Sequence, residues 1–366
     1  MEKMKKVIIS KNDLRINLEV INSLKKEQCK VIGVVKANGM GLDLIQYSKF
    51  LIENGIEILA VSEAEEAFEL RNNEINSDIL LLTPQNDEVI LEKLVENEII
   101  ITLSTLGQAK NLINISKKLE KKINIHIKID TGFSRYGFLY TETEKILEIF
   151  KMKEYFDIKG IYTHFSNSIN SNDTKLQFER FQNVVNIIKK QGNNTGILHC
   201  CNSTAFIKYP SMHLDAVRLG SVIQGRTLIK VAGLKKIGKF VASISEIKEL
   251  PKGDTIGYGN TYKTNKKTKI AVIPVGHYDG FEMANKRDNF NFIENIKSVC
   301  IEIRKIFKKE YGEVLIKGKK YKIIGRIGLN YCVADITKSN DIKVSDEVIL
   351  SDTILKINAK IRREYV

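Results

Sequence analysis

From Lys30 onward, short apolar runs alternate with longer segments whose apolar residues recur every three or four positions. The short runs Val31–Val35, Ile58–Val61, Ile79–Leu82, Ile99–Leu103, Ile123–Ile129, Ile158–Thr163, Ile197–Cys200 and Ala216–Leu219 read as buried strands. Helix-like segments lie between them, among them Asp43–Glu53, Glu63–Arg71, Leu106–Leu119, Thr141–Met152 and Leu176–Lys190. Strict alternation implies parallel strands with right-handed crossovers. Eight such units within about 200 residues fit an α/β fold of the (β/α)8 TIM-barrel type better than an open sheet. Past Gly225 the runs Val241–Ile247, Thr255–Tyr258, Lys269–Val275, Val314–Ile316, Lys320–Ile324 and Tyr331–Ile336 follow one another with no obligatory helix between them, which predicts a mostly-β second domain. Only Phe292–Lys309 has helical spacing there, with Ile293, Ile296, Val299, Ile303 and Ile306 on one face. The division expected is a barrel over 11–228 and a β domain over 229–366, with residues 1–10 pairing with the latter.

Composition narrows the class. The 366 residues are 43% hydrophobic and 28% charged, an ordinary globular balance. No apolar run approaches a membrane span, and the start is too weakly apolar for a secretory signal, so no membrane partner is expected. The net charge of +14 raises the question of nucleic acid. Lysines scattered along the chain, rather than clustered with aromatics, argue against it. Five cysteines without metal-ligand spacing suggest reduced thiols in a cytoplasm and no metal site.

In a β/α barrel, chemistry gathers at the C-terminal ends of the strands. The first strand ends at Lys36, followed by Gly39 and Gly41. A lysine leaving a buried strand is costly unless it is solvated, paired or covalently used. The fifth ends in Lys128-Ile-Asp130-Thr-Gly132-Phe-Ser-Arg135, the sixth in His164, the seventh in Asn202-Ser203 and the eighth in Arg218-Leu-Gly220-Ser221. Asn, Ser and Gly at the last two ends supply the hydroxyl and backbone N–H donors of a phosphate cradle. A reactive lysine and a phosphate cradle in one mouth suggest pyridoxal 5'-phosphate, whose aldehyde bonds a lysine and whose phosphate needs an anchor.

At these residues the chain resembles the alanine racemase family, the barrel (fold-type III) class of pyridoxal-phosphate enzymes. The motifs occur in family order over nearly the whole chain: Val34-Val-Lys36-Ala-Asn38, Lys128-Ile-Asp-Thr-Gly132 with Arg135 and Gly137, His164, Asn202-Ser203 and Arg218-Leu-Gly220. In the second domain Gly257-Tyr258-Gly259, Pro274-Val-Gly276-His-Tyr-Asp279-Gly280 and Gly325-Arg326-Ile-Gly-Leu329-Asn330 follow. The resemblance implies a divergent amino-acid racemase, an isomerase that interconverts L- and D-alanine and so supplies peptidoglycan precursors in a bacterial cytoplasm. It implies that Lys36 binds the cofactor and works on one face of the substrate while Tyr258 works on the other. Two such groups are needed because a single base tends to return the proton to the side it came from.

By the same resemblance, Arg218 donates to the cofactor's ring nitrogen and His164 supports it. Asn202, Ser203, Gly220 and Ser221 hold the phosphate. Arg135, Leu329 and Asn330 face the substrate, and Lys128 is carbamylated in many relatives. A head-to-tail homodimer with shared sites follows, because the second base comes from the neighbouring subunit. Read without the family, Lys36 is a lysine entering solvent, Tyr258 a packed strand aromatic, and Lys128 one half of a salt bridge.

The chain departs from the family at Met40 and Ala359, where tyrosines near the phosphate are usual, and at His277. The Phe292–Lys309 helix looks like an insertion. Weaker cofactor affinity and looser substrate choice are the expected consequences. The alternatives are a racemase of serine or another amino acid, a non-catalytic pyridoxal-phosphate-binding relative, and a decarboxylase of the same class, whose signatures are missing here.

Overall fold

Runs of β-branched and leucine side chains form strands here because both faces of each run are buried. The computed structural model describes residues 5–282, 296, 299, 300, 303, 312–351 and 353–366. Strand β1 (Lys5–Ile9) and helix α1 (Lys11–Leu24) come first, and β2 (Lys30–Val34), β3 (Ile58–Val61), β4 (Asp78–Leu81), β5 (Ile100–Leu103) and β6 (Ile123–Asp130) follow. A two-residue strand, β7 (Phe138–Leu139), extends β6 on one side. It precedes β8 (Phe156–Tyr162), β9 (Ile197–His199) and β10 (Ala216–Leu219).

Strands β2 to β6 and β8 to β10 pair in parallel around a ring, which the β5–β6 pairing closes. This is the eight-stranded barrel that the alternation predicts. Ile32, Ile58, Ala60, Leu80, Ile100 and Ala216 pack together as one of its buried clusters.

The crossover helices are α2 (Leu44–Glu53), α3 (Ala64–Asn72), α4 (Glu88–Glu96), α5 (Leu106–Leu119), α6 (Thr143–Lys151), α7 (Ser171–Lys190) and α8 (Ser203–Lys208). Side chains of Asp43, Asp87, Thr105, Asn170 and Asn202 accept backbone N–H bonds at the starts of α2, α4, α5, α7 and α8. The Asn170 cap is why α7 begins at Ser171, one turn before the apolar spacing suggests.

The chain divides into two compact units, Asn12–Ile237 and Met1–Lys11 with Gly238–Val366. The division falls after Ile237 rather than after residue 228. Asn17 of α1 donates to the carbonyls of Ile223 and Lys235 and accepts from the Lys235 N–H, which ties 229–237 to the barrel.

In the second unit the strands are β11 (Lys239–Ser243), β12 (Glu246–Leu250), β13 (Thr255–Ile256), β14 (Tyr262–Lys263), β15 (Thr268–Ile273), β16 (Glu313–Ile316), β17 (Lys319–Lys322), β18 (Cys332–Asp335), β19 (Glu347–Ser351) and β20 (Arg363–Tyr365). β1 lies between β11, antiparallel, and β20, parallel, in a six-stranded sheet. β12, β15 and β18 form a second sheet, and β13–β14 is a hairpin.

Two sequence expectations are corrected here. The Val241–Ile247 run is two strands in different sheets, parted at Ile244–Ser245. Tyr258 does not continue a strand, because Gly257 (φ 79°) and Gly259 (φ 71°) turn the chain on either side of it. The helix expected over Phe292–Lys309 lies, apart from the helical residues Ile296, Val299, Cys300 and Ile303, outside the described residues. No helix among the described residues is long and apolar enough to cross a membrane.

Candidate active site

The residue after β2 is Val35, fully buried, with its N–H on the carbonyl of Ala60. Lys36 therefore leaves the barrel wall at a fixed point. The chain then turns in the left-handed sense through Ala37 (φ 54°), Asn38 (φ 55°), Gly39 (φ 64°) and Met40 (φ 53°). Side chains with a Cβ disfavour this region by roughly 1–2 kcal/mol per residue. The turn is held from outside: Glu66 of α3 accepts the Asn38 N–H at 3.2 Å, and Gln224 donates to the Met40 carbonyl at 3.0 Å.

Strand β6 alternates, so His126, Lys128 and Asp130 share one face. Asp130 Oδ1 accepts the N–H groups of Gly132, Phe133 and Ser134, at 2.9, 2.9 and 3.1 Å, and so shapes the loop that presents Arg135. Gly137 (φ 119°) lets this loop return against β6, since a Cβ there would lie 2.8 Å from the Asp130 nitrogen. Lys128 is only 5% exposed. Its Nζ lies 5.1 Å from the ring centre of Tyr162 and 5.6 Å from that of Tyr136, and among the described residues no carboxylate pairs with it. Burial first, then the charges of Arg218 and Arg135, push its pKa down to about 7.

Arg218, at 4% exposure, is bonded to neutral groups only. Nη2 donates to the Thr163 carbonyl at 2.7 Å and to His164 Nδ1 at 3.2 Å; Nη1 donates to His199 Nδ1 at 2.7 Å. The guanidinium also lies 5.0 Å from the Tyr162 ring centre. Burial and then the Arg218 charge hold His164 and His199 well below the ordinary histidine pKa, so both are neutral acceptors. Arginine keeps its proton even when buried, and among the described residues no carboxylate pairs with it.

Beside β9 and β10, Ser203 Oγ accepts the N–H groups of Gly220 and Val222 at 3.3 Å each. Asn202 is occupied as the cap of α8 and by the Ser168 hydroxyl. Ser221 follows Gly220 at the same strand end. Any Cβ at Gly220 would meet the Met40 sulfur at 2.8 Å, so the thioether lies directly over this strand end.

One cavity of about 430 Å³ is lined by Lys36, Lys128, Arg135, His164 and Arg218, with Glu63, Glu66, Tyr136 and Tyr162. Five sequence candidates thus converge. A larger cavity of about 720 Å³ on the β unit, along Lys6, Ser243, Arg362 and Glu364, gathers none of them. Tyr258, Leu329 and Asn330 belong to the β unit. Tyr258 is 65% and Leu329 68% exposed, and the Tyr331 ring lies 6.2 Å from that of Tyr258. Gly257 is needed beside Tyr258 because a Cβ there would lie 2.9 Å from the Arg326 nitrogen.

The sequence reading missed Glu66, Gln224, His199 and His126. For His126 a signal existed: it shares the inward face of β6 with Lys128.

Comparison with known proteins agrees with this layout. The family description "Alanine racemase, N-terminal domain" matches residues 9–227, and "Alanine racemase, C-terminal domain" matches 237–362. The chain is 35% identical to the alanine racemase of Clostridium perfringens over 346 residues, 91% of this chain and 82% of that one. It is 33% identical to the alanine racemase of Methanococcus maripaludis over 344 residues, 92% and 85% of the two chains. The solved alanine racemase of Clostridium difficile superposes with a TM-score of 0.88 at 29% identity, covering 100% of this chain and 96% of that one.

Proposed function

Because the chain belongs to the alanine racemase family, we propose that it interconverts L- and D-alanine with pyridoxal 5'-phosphate, using Lys36 and Tyr258 on opposite faces of the substrate. The observation that carries this is one cavity holding a strand-end lysine and a buried arginine bonded only to neutral groups. When bound, the cofactor draws electrons from the substrate and so acidifies its α-proton.

The residues present fit that group. Lys36 would bond its aldehyde, and Arg218 would face its ring nitrogen. The Ser203 hydroxyl, which the Gly220 and Val222 N–H groups orient, and Ser221, with Asn202 holding the start of α8, would take its phosphate. Arg218 would donate a hydrogen bond to the ring without giving up a proton, which would limit electron withdrawal and favour reprotonation over side reactions. Lys36 Nζ takes the α-proton from one face and the Tyr258 hydroxyl returns one from the other, or the reverse. Arg135 steers the substrate carboxylate, and Leu329 and Asn330 are the β unit's substrate-binding residues. The exposure of Tyr258 on the β unit is consistent with the use of that unit by a second copy, in a homodimer with shared sites. A cytoplasmic location goes with this reading.

Lys128, uncharged in part at neutral pH, is a nucleophile for carbon dioxide. A carbamate there would supply an anion near Arg135. A 13C signal from labelled bicarbonate that disappears in Lys128→Met would establish it.

A second reading, racemisation of serine or a larger amino acid, is favoured by Ala359, an exposed small residue in place of the family's tyrosine. Turnover on a panel of L-amino acids decides between the two. The first test is the absorbance spectrum with added cofactor, with and without borohydride. Wild type should show a band that borohydride removes and that Lys36→Ala lacks; no band in wild type would sink the proposal.

A further inference from the structure

Arg218 hydrogen bonds run in one direction only, because a guanidinium has no acceptor. Its Nη1 lies 2.7 Å from His199 Nδ1, so that nitrogen is the acceptor and the neutral ring carries its proton on Nε2. His199 Nε2 in turn lies 2.9 Å from His126 Nδ1, which must accept. The proton of His126 is then on its Nε2, a buried atom with no hydrogen-bond partner among the described residues. The whole chain of tautomers is therefore set by one arginine and one pair of rings.

The surroundings are built to hold this pair. His199 stacks on Tyr162, with ring centres 4.8 Å apart and planes at 6°. The β6–β8 ladder slips in register at Ile125/His126, and the residue opposite His126 is Gly160. A Cβ on Gly160 would lie 3.0 Å from both Cε1 and Nε2 of His126. The glycine leaves space for the ring and for the Ile197 carbonyl oxygen, which would lie 2.6 Å from that Cβ, and no acceptor among the described residues is within hydrogen-bond distance of Nε2. An unpaired buried N–H is costly, so His126 is poorly explained by stability alone. Burial holds its pKa at about 3, which keeps it neutral across the working range.

We propose that His126 is a positioning residue: by accepting the Nε2–H of His199 it fixes the tautomer whose Nδ1 receives Arg218, and so holds the guanidinium in place with its charge unoffset. His126 does not line the cavity and acts only through His199. The proposal rests on the racemase reading only for what Arg218 is used for.

The test is 15N NMR of the histidine rings and arginine side chains in the full-length, cofactor-loaded protein, with kinetics on the same samples. Wild type should show His199 protonated on Nε2 and unprotonated on Nδ1. His126→Asn keeps an acceptor near the Nδ1 position and should preserve that tautomer and kcat. His126→Leu removes the acceptor; the His199 tautomer or the Arg218 resonances should change, and kcat should fall about ten- to a hundredfold with little change in KM. A wild-type His199 protonated on Nδ1 overturns the proposal without any variant. So does His126→Leu with wild-type ring signals, or His126→Asn with as large a loss as His126→Leu. The tautomer readings stand whether or not the chain racemises alanine.

Discussion

Arg218 is 4% exposed and hydrogen-bonded from several directions inside the barrel, whereas Tyr258 on the β unit is 65% exposed, flanked by two glycines in a turn. Both are proposed for the same chemistry, yet the arginine is enclosed within its own barrel and the tyrosine stands open to solvent on the β unit. A group meant to stay charged and fixed is best buried among neutral acceptors. A group meant to serve a second copy has to stand out from its own chain. That difference is what the proposed site, shared between two copies, would require.

The sharpest way to break that contrast is to damage each half separately. Lys36→Ala should lower racemisation by roughly 10⁴-fold, the upper end for loss of a general base. Tyr258→Phe should cost about 10²- to 10³-fold while still allowing solvent hydrogen exchange at the α-carbon of one enantiomer. Mixing the two inactive proteins after dissociation should restore about a quarter of wild-type activity. Half of randomly re-formed dimers are mixed, and each of those holds one intact site. No recovery would mean that both groups act within a single chain.

A smaller effect tests the buried half. Lys128 has a folded pKa of about 7, below its ordinary 10.5, so between those values the unfolded chain binds more protons. Stability should accordingly rise as pH goes from 7 toward 10, by on the order of a few kcal/mol. Denaturation midpoints should show that rise in wild type and its loss in Lys128→Met, which should also be the more stable protein at pH 7. Bicarbonate would flatten the wild-type curve if the amine is carbamylated. Smallest of all, Met40→Tyr should tighten cofactor binding by up to about tenfold, the worth of one added hydrogen bond, measurable by equilibrium titration.

The barrel was legible in the sequence because each strand is a short apolar run with a polar or glycine stop. The eight runs fall within two residues of β2 to β6 and β8 to β10 at every end. Lys36, Lys128, Arg135, His164 and Arg218 were legible because they stand at or just past those stops. His126 and His199 were not. Each lies within a strand, and what gives them meaning is a contact between β6 and β9, which sequence order does not encode. Tyr258 was found as a residue but misplaced as a strand position, because a turn made by two glycines with positive φ looks, in one dimension, like an interrupted strand. β19 and β20 were missed for a similar reason: their burial depends on β11 and β1, far away in sequence.

The left-handed turn after Lys36 bears on when the protein becomes reactive. Three of its residues, Ala37, Asn38 and Met40, resist that geometry, and an isolated hairpin of chain would relax out of it. One of its ties is Gln224, 184 positions later. A nascent chain that has emerged only as far as the fifth or sixth strand has the lysine and the Glu66 tie but not the Gln224 one. If Lys36 binds the cofactor aldehyde as proposed, its full aim would come only with the complete barrel, and folding itself would act as an activation step.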